Sequence, residues 1–137
     1  MSAIDDVLVD DEAVVKSELR DYLRPYTIVA QYNGTIGASV DVLRIVFAEA
    51  VDFAATLPLS RAYADVAASS TATFDIKKNG SSIGSLVWVG GSPSVHTGTF
   101  TFASDVSFAA GDRLEITGPA SPDALLADIT ITLIGKR

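Results

Sequence analysis

The sequence contains no cysteine and a single histidine, His96. The absence of cysteine excludes a disulfide framework and any metal centre with thiolate ligands. One imidazole is also too few for a usual zinc site, which takes three or four protein ligands. We therefore expect this protein to hold no metal and no cofactor.

Basic residues are few, with ten Lys and Arg against seventeen Asp and Glu, which gives a net charge of −7. A nucleic-acid-binding protein needs a basic face that displaces counterions from phosphates, so no nucleic-acid partner is expected. Five of the acids lie in residues 1–12, which hold no base, and the other residues hold twelve acids and ten bases. The acidity is therefore assigned to an N-terminal arm.

Long apolar runs are also missing. No stretch reaches the roughly 20 residues that span a bilayer, and the first residues lack the basic and apolar regions of a secretion signal. We expect a soluble, unexported chain without a membrane partner. The composition is nevertheless 48% hydrophobic with a mean hydropathy of +0.33, which argues against intrinsic disorder and favours burial between subunits. A length of 137 residues corresponds to about one domain.

The predicted arm comprises residues 1–25 and contains one short helix. Asp10 or Asp11 can cap this helix, an apolar stripe follows at helical spacing, and Pro25 ends it. A helix this short is marginal alone, so the stripe must dock on its own body, a sister subunit or a larger partner. The residues predicted to contact that surface are Val7, Leu8, Val9, Val15, Leu19, Tyr22 and Leu23.

Residues 26–137 are predicted to be all-β, because short runs of β-forming residues alternate with Gly, Pro and Asn. The clearest signal is a hairpin in which Asn79-Gly80 supplies a two-residue type I′ turn. This pattern is typical of an antiparallel β-sandwich or jelly-roll-like domain. The predicted strands cover residues 26–32, 40–47, 51–53, 71–77, 82–89, 97–102, 113–117 and 127–134.

The sequence contains no motif that indicates a catalytic activity, and no catalytic residue is predicted. His96 lies in a Gly- and Ser-rich stretch without a nucleophile motif, so we expect a structural role for it. Trp88 is expected in the core or an interface rather than on a sugar. The stretch of residues 90–98 is interpreted as a mobile or partner-contacting loop, with Ser92, Ser94 and His96 as candidate contacts. Turns and outward strand positions are predicted for Asp75, Asp105, Asp112, Asp123 and Asp128.

Three segments carry a resemblance to a known group of proteins. They are Thr73-Phe-Asp-Ile-Lys-Lys-Asn-Gly-Ser-Ser-Ile-Gly84, Phe108-Ala-Ala-Gly-Asp-Arg-Leu-Glu-Ile116 and Pro122-Asp-Ala-Leu-Leu-Ala-Asp-Ile-Thr-Ile-Thr-Leu133. In this order they resemble a β domain of small virion proteins of tailed bacteriophages, over roughly residues 40–137. The sequence departs from that pattern at Gly84-Ser85-Leu86, where Gly-Thr-Ile is more usual, and at Ala67-Ala68-Ser69, which lacks a proline.

The resemblance implies a structural protein of the virion, assembled in the host cytoplasm. We expect a capsid decoration protein, of the cement or head-fibre type, that forms a homotrimer and binds the major capsid protein or another virion protein through its arm. A tail-tip or tail-fibre module that binds host glycans through the loop at Ser92–Thr97 is the alternative. Two further alternatives rank lower: a small hydrolase with a pocket around His96, and a cellular adhesion module.

Overall fold

The computed structural model describes residues 25–137, so the predicted helix and the arm contacts from Val7 to Leu23 lie outside the described residues. The described chain forms β-strands and no helix. The strands are β1 (Pro25–Thr35), β2 (Asp41–Val46), β3 (Val51–Phe53), β4 (Arg61–Val66), β5 (Ala72–Lys78), β6 (Ser81–Trp88), β7 (Thr99–Phe102), β8 (Val106–Phe108), β9 (Arg113–Thr117) and β10 (Ala127–Lys136).

The ten strands form two five-stranded antiparallel sheets that pack as a sandwich, as predicted. In the first sheet, which we call sheet A, β10 pairs with β1 along one side and with β4 and β3 along the other, and β8 follows β3. The order in the second, sheet B, is β2, β9, β5, β6 and β7. Every strand pair is antiparallel, so short turns and crossing loops connect the strands.

The predicted hairpin is present between β5 and β6. Asn79 and Gly80 have φ values of 51° and 86°, the positive angles that a type I′ turn requires at both central positions. Asn79 also donates from its side-chain amide to Asp112 and accepts from the Arg113 amide. The hairpin turn is therefore fastened to the turn that precedes β9.

Three details differ from the sequence prediction. The first strand begins at Pro25, one residue inside the predicted arm, and runs past Asn33-Gly34 to Thr35. The strands β4 and β8 were not predicted. The buried positions of β4 are Ala62 and Ala64, which are poor strand formers, and β8 is only three residues long.

The core lies between the sheets and comes from the alternating residues of each strand. In β10 these are Ile129, Ile131 and Leu133, which are all 1% exposed. One end of the core contains Phe47, Phe53 and Phe108, with ring centroids 4.7 to 6.1 Å apart. Trp88 packs edge-on against Phe74 elsewhere in the core and is completely buried.

The strand directions give the sandwich two distinct ends. The arm joins the body at one end, the proximal end, where Pro25 pairs with Lys136 and where the Asn79-Gly80 turn lies. The other end, the distal end, carries the loops of residues 36–40, 67–71, 89–98 and 118–126. The length of β10 separates the two ends, and this is about 30 Å at roughly 3.3 Å per residue.

Candidate functional site

The predicted contact loop lies at the distal end. Ser92 and Ser94 are exposed, as expected for a partner-contacting loop, whereas His96 is half-buried. His96 Nδ1 donates to the carbonyl oxygen of Ala64 at 2.8 Å, and the His96 backbone carbonyl accepts from the Ala64 amide and from the Trp88 indole. These bonds fix the end of the loop against β4.

His96 stacks on an aromatic residue that the sequence analysis did not single out. The rings of His96 and Tyr63 lie 5.5 Å apart at an interplanar angle of 17°. Tyr63 is 51% exposed and bridges to Thr97, so the pair presents aromatic surface at the end of the loop that carries Ser92 and Ser94. Trp88 is buried in the core and cannot stack on a sugar, so exposed aromatic surface near this loop comes from Tyr63 instead.

The outer face of sheet A extends between the two ends. Its residues alternate with the buried ones on β1, β10 and β4, and the register places Val29 beside Thr132 and Gln31 beside Thr130. Val29 is 65% exposed. Arg61 is the only charged residue among these central positions, which are Thr27, Val29, Gln31, Arg61, Tyr63, Thr130, Thr132 and Ile134.

Arg61 is turned away from the middle of this face. Its Nη1 donates to the carbonyl oxygens of Pro58 and Ser60, at 3.1 and 2.9 Å. The middle of the face therefore offers valine, threonine and tyrosine side chains to a partner. Burial of these side chains themselves desolvates no charge.

A groove of about 450 Å³ continues this face at the proximal end. Its apolar lining includes Leu59, which is 64% exposed. Asp52 and Lys136 are the charged residues of its lining. The full lining is Pro25, Asp52, Ala54, Pro58, Leu59, Ile134, Gly135 and Lys136.

Asp123 was predicted at a turn or outward strand position; it lies in the distal loop of residues 118–126, but its burial was not predicted. Its carboxylate is buried and accepts six hydrogen bonds, from the Ser69 and Ser70 amides and hydroxyls and from the Leu125 and Leu126 amides. Burial alone would raise the pKa of Asp123, but the bonds from Ser69, Leu126 and Ser70 outweigh it and hold the pKa far below its usual value. Asp123 therefore joins two distal loops. Because its carboxylate oxygens already accept these six bonds, it is not a free ligand.

A second carboxylate, Asp112, has a local structural role. It accepts from the side-chain amide of Asn79 at 3.0 Å and from the Ala109 amide at 2.8 Å. These bonds, with a smaller contribution from the charge of Lys78, lower the pKa of Asp112. Asp112 was predicted to make a local Asx hydrogen bond in its turn; it lies in the turn of residues 109–112, but its carboxylate accepts from the residue three positions before it.

Residues 25–137 bring together no group of three side chains that could hold a metal ion. No helix long and apolar enough to cross a membrane occurs in this part of the chain.

Comparison with known proteins gives structural similarity at low sequence identity. No family model and no curated protein matches the chain. A CBM36-1 domain of a multidomain xylanase from the hindgut metagenome of Trinervitermes trinervoides aligns with a TM-score of 0.45 and 17% identity, over 80% of this chain and 97% of that one. A cycloisomaltooligosaccharide glucanotransferase of Paenibacillus sp. aligns with a TM-score of 0.35 and 13% identity, over 82% of this chain and 18% of that one.

Proposed function

We propose that this chain is a structural protein of a bacteriophage virion that decorates the assembled head as a homotrimer. The observation that carries the proposal is the outer face of sheet A, where Val29, Thr27 and Thr130 are exposed and Arg61 is the one charged residue among the central positions. Burial of such a face between sister copies stabilises an oligomer by roughly 25 cal/mol per Å² of apolar surface. The resemblance of residues 40–137 to small virion proteins supplies the context.

Binding to the assembled lattice would be the mechanism of this protein. A molecule that binds the assembled capsid and not its dissociated subunits stabilises the capsid by mass action. The chemistry needed is a folded body, an oligomer interface and an attachment segment, so no catalytic group takes part. The acidic arm of residues 1–25 is the proposed attachment segment, which contacts the major capsid protein or another virion protein.

Copy number in purified virions tests this function directly. A decoration protein is present in hundreds of copies, whereas a tail-tip module is present in few. Quantitative mass spectrometry of particles that contain this chain measures the difference. Detection of only a few copies per particle would overturn the decoration role.

Deletion of residues 1–24 tests the attachment segment. Because both sheets and the whole described core lie within residues 25–137, we expect the truncated chain to fold and to oligomerise. It should no longer bind particles that lack the protein, while the full chain binds them. Full occupancy by the truncated chain would show that the arm is not the anchor.

A second candidate function is favoured by the aromatic pair of Tyr63 and His96. An exposed ring next to hydroxyl side chains is a surface on which a sugar can stack, and Tyr63 lies beside the loop that carries Ser92 and Ser94. The candidate is a tail module that binds host-surface glycans through its distal end.

The Tyr63→Ala variant distinguishes the two functions. If the chain binds glycans, this variant should lose retention on a glycan array while Val46→Ala, an equally superficial change on sheet B, keeps it. If the chain decorates heads, the unmodified chain and both variants are not retained on the array, while the unmodified chain attaches to particles.

A further inference from the structure

We infer that the groove at the proximal end is the docking site of this chain's own arm, and that it receives the apolar side chains of Leu19, Tyr22 and Leu23. The groove is the one lined by Pro25, Pro58, Leu59 and Ile134 together with their neighbours. This inference concerns where the arm rests on the body, and it does not depend on the virion function.

The position of Pro25 is the first argument. Pro25 lines the groove and is the residue at which the arm continues into β1. Leu23 and Tyr22 are two and three residues away, so an extended chain of roughly 3.3 to 3.6 Å per residue keeps both within about 11 Å of Pro25. A tether this short gives a local concentration in the millimolar range, which favours docking on the same molecule over docking on another.

The chemistry of the lining is the second argument. Leu59 is 64% exposed, and Pro25, Ala54 and Pro58 are exposed around it, so the groove holds apolar surface that nothing in residues 25–137 covers. The leucine and tyrosine side chains of the arm are apolar or aromatic, like the surface that the groove offers. Their spacing in the sequence predicts that they share one stripe of a helix. A stripe of this kind is stable only when a surface covers it.

The groove is also formed before anything binds to it. The loop of residues 54–60 is closed by bonds from the Leu57 amide to Ala54 and from the Ser60 amide to Leu57, both 3.0 Å. Ser60 Oγ accepts from the Ile134 amide at 2.9 Å, which joins this loop to β10. The wall and the floor of the groove are therefore held in place by bonds within the body, so docking requires no rearrangement of this loop.

The absence of cysteine makes a single introduced thiol a clean probe of the groove. Ala54→Cys places a thiol in the groove lining, and Ala120→Cys, at an exposed alanine of the distal loops, is the matched control. The rate of modification by a maleimide measures how often each thiol is accessible. An arm that is docked nine-tenths of the time leaves the groove open one-tenth of the time, which slows modification about tenfold.

We expect the Ala54→Cys thiol to react about tenfold more slowly than the Ala120→Cys thiol. Adding Leu19→Asp and Leu23→Asp to the same full-length chain should remove the difference without changing the Ala120→Cys rate. Circular dichroism checks that each variant keeps its β-sheet structure. Equal rates in the two single-thiol proteins, or a slow Ala54→Cys rate that the aspartates do not change, would overturn the inference.

The dependence of the modification rate on protein concentration shows whether the arm that covers the groove belongs to the same chain or to a sister copy. Docking within one chain predicts an Ala54→Cys rate that stays constant over a hundredfold dilution. A rate that rises on dilution would show that a sister copy covers the groove, by exchange of arms or by contact of bodies, and would overturn docking in cis. Neither result alters the copy number of the protein in virions, so the two proposals fail independently.

Discussion

Asp123 is the residue on which the distal loops depend most. Its carboxylate links residues 69 and 70 to residues 125 and 126 through backbone amides and hydroxyls. A buried carboxylate with all its donors in place is stabilising, whereas the same donors without an acceptor are buried and unpaired.

The Asp123→Asn variant should lose roughly 3 kcal/mol of unfolding free energy at neutral pH, because an amide cannot accept the full set of bonds. Urea unfolding of the two proteins measures this loss. Asp105→Asn is the matched control, because the Asp105 carboxylate is exposed and accepts a single bond from the Ala55 amide. A loss for the control as large as that for Asp123→Asn would contradict the role of burial.

The contribution of the Asp123 carboxylate to stability should depend on pH. The pKa of Asp123 is lowered in the folded protein, so its stabilising contribution is complete above the unfolded-state value of about 4 and declines as the pH falls below it. The unfolding free energy of the unmodified protein should therefore fall more steeply below pH 4 than that of Asp123→Asn, by up to about 1.4 kcal/mol per pH unit. Parallel slopes for the two proteins in urea titrations between pH 4 and pH 2 would refute this assignment.

The β6–β7 pair leaves no room for a methyl group at Gly84. Gly84 pairs with Phe102, and a Cβ at Gly84 would overlap the Phe102 ring and the Thr101 carbonyl oxygen. The glycine of the hairpin motif is thus required by the close approach of the next strand.

Gly84→Ala should therefore destabilise the fold by about 3 kcal/mol, the upper range for overpacking a tight contact. Thermal unfolding measures the change, and Ser85→Ala, one residue along the same strand, should have little effect. A Gly84→Ala protein as stable as Ser85→Ala would mean that β7 can move away at no cost.

The elements also show which parts of the fold a sequence can predict. The β5–β6 hairpin was predictable because Asn79-Gly80 sets the turn locally and Phe74 and Ile76 alternate with polar residues. The β4 strand could not be predicted in this way, because its two alanines become buried only through pairing with β10, which is more than 60 residues away in the sequence. The burial of Asp123 was missed for the same reason, since Ser69 and Ser70 lie 54 and 53 residues from it. Tyr63 joins His96 only through tertiary contact, so no spacing in the sequence could indicate the pair.

At the scale of the whole molecule, sheet A and sheet B differ in what they present to a partner. The outer face of sheet A combines Val29, Tyr63 and several threonines, whereas Val46 on the edge strand of sheet B lies next to Arg44. Self-association centred on Val29 therefore buries mostly uncharged side chains, with Arg61 as the charged residue of the same row.

Val29→Lys should shift the protein from oligomer to monomer, because a lysine at the centre of the interface would be buried without a partner. Val46→Lys, which alters a side chain of nearly equal exposure on sheet B, should leave the oligomer intact. Sedimentation velocity of both variants at the same concentration measures the distribution. A monomeric Val46→Lys with an oligomeric Val29→Lys would assign the interface to sheet B.

The separation of the proximal and distal ends has a practical consequence for engineering. The arm enters beside Pro25, while the turn around Gly90 and Gly91 lies about 30 Å away along the strands. A foreign peptide inserted at that turn would be carried on the side opposite the arm's point of entry. If the arm fastens the protein to a particle, the inserted epitope would face the surroundings, and antibodies could reach it on every copy.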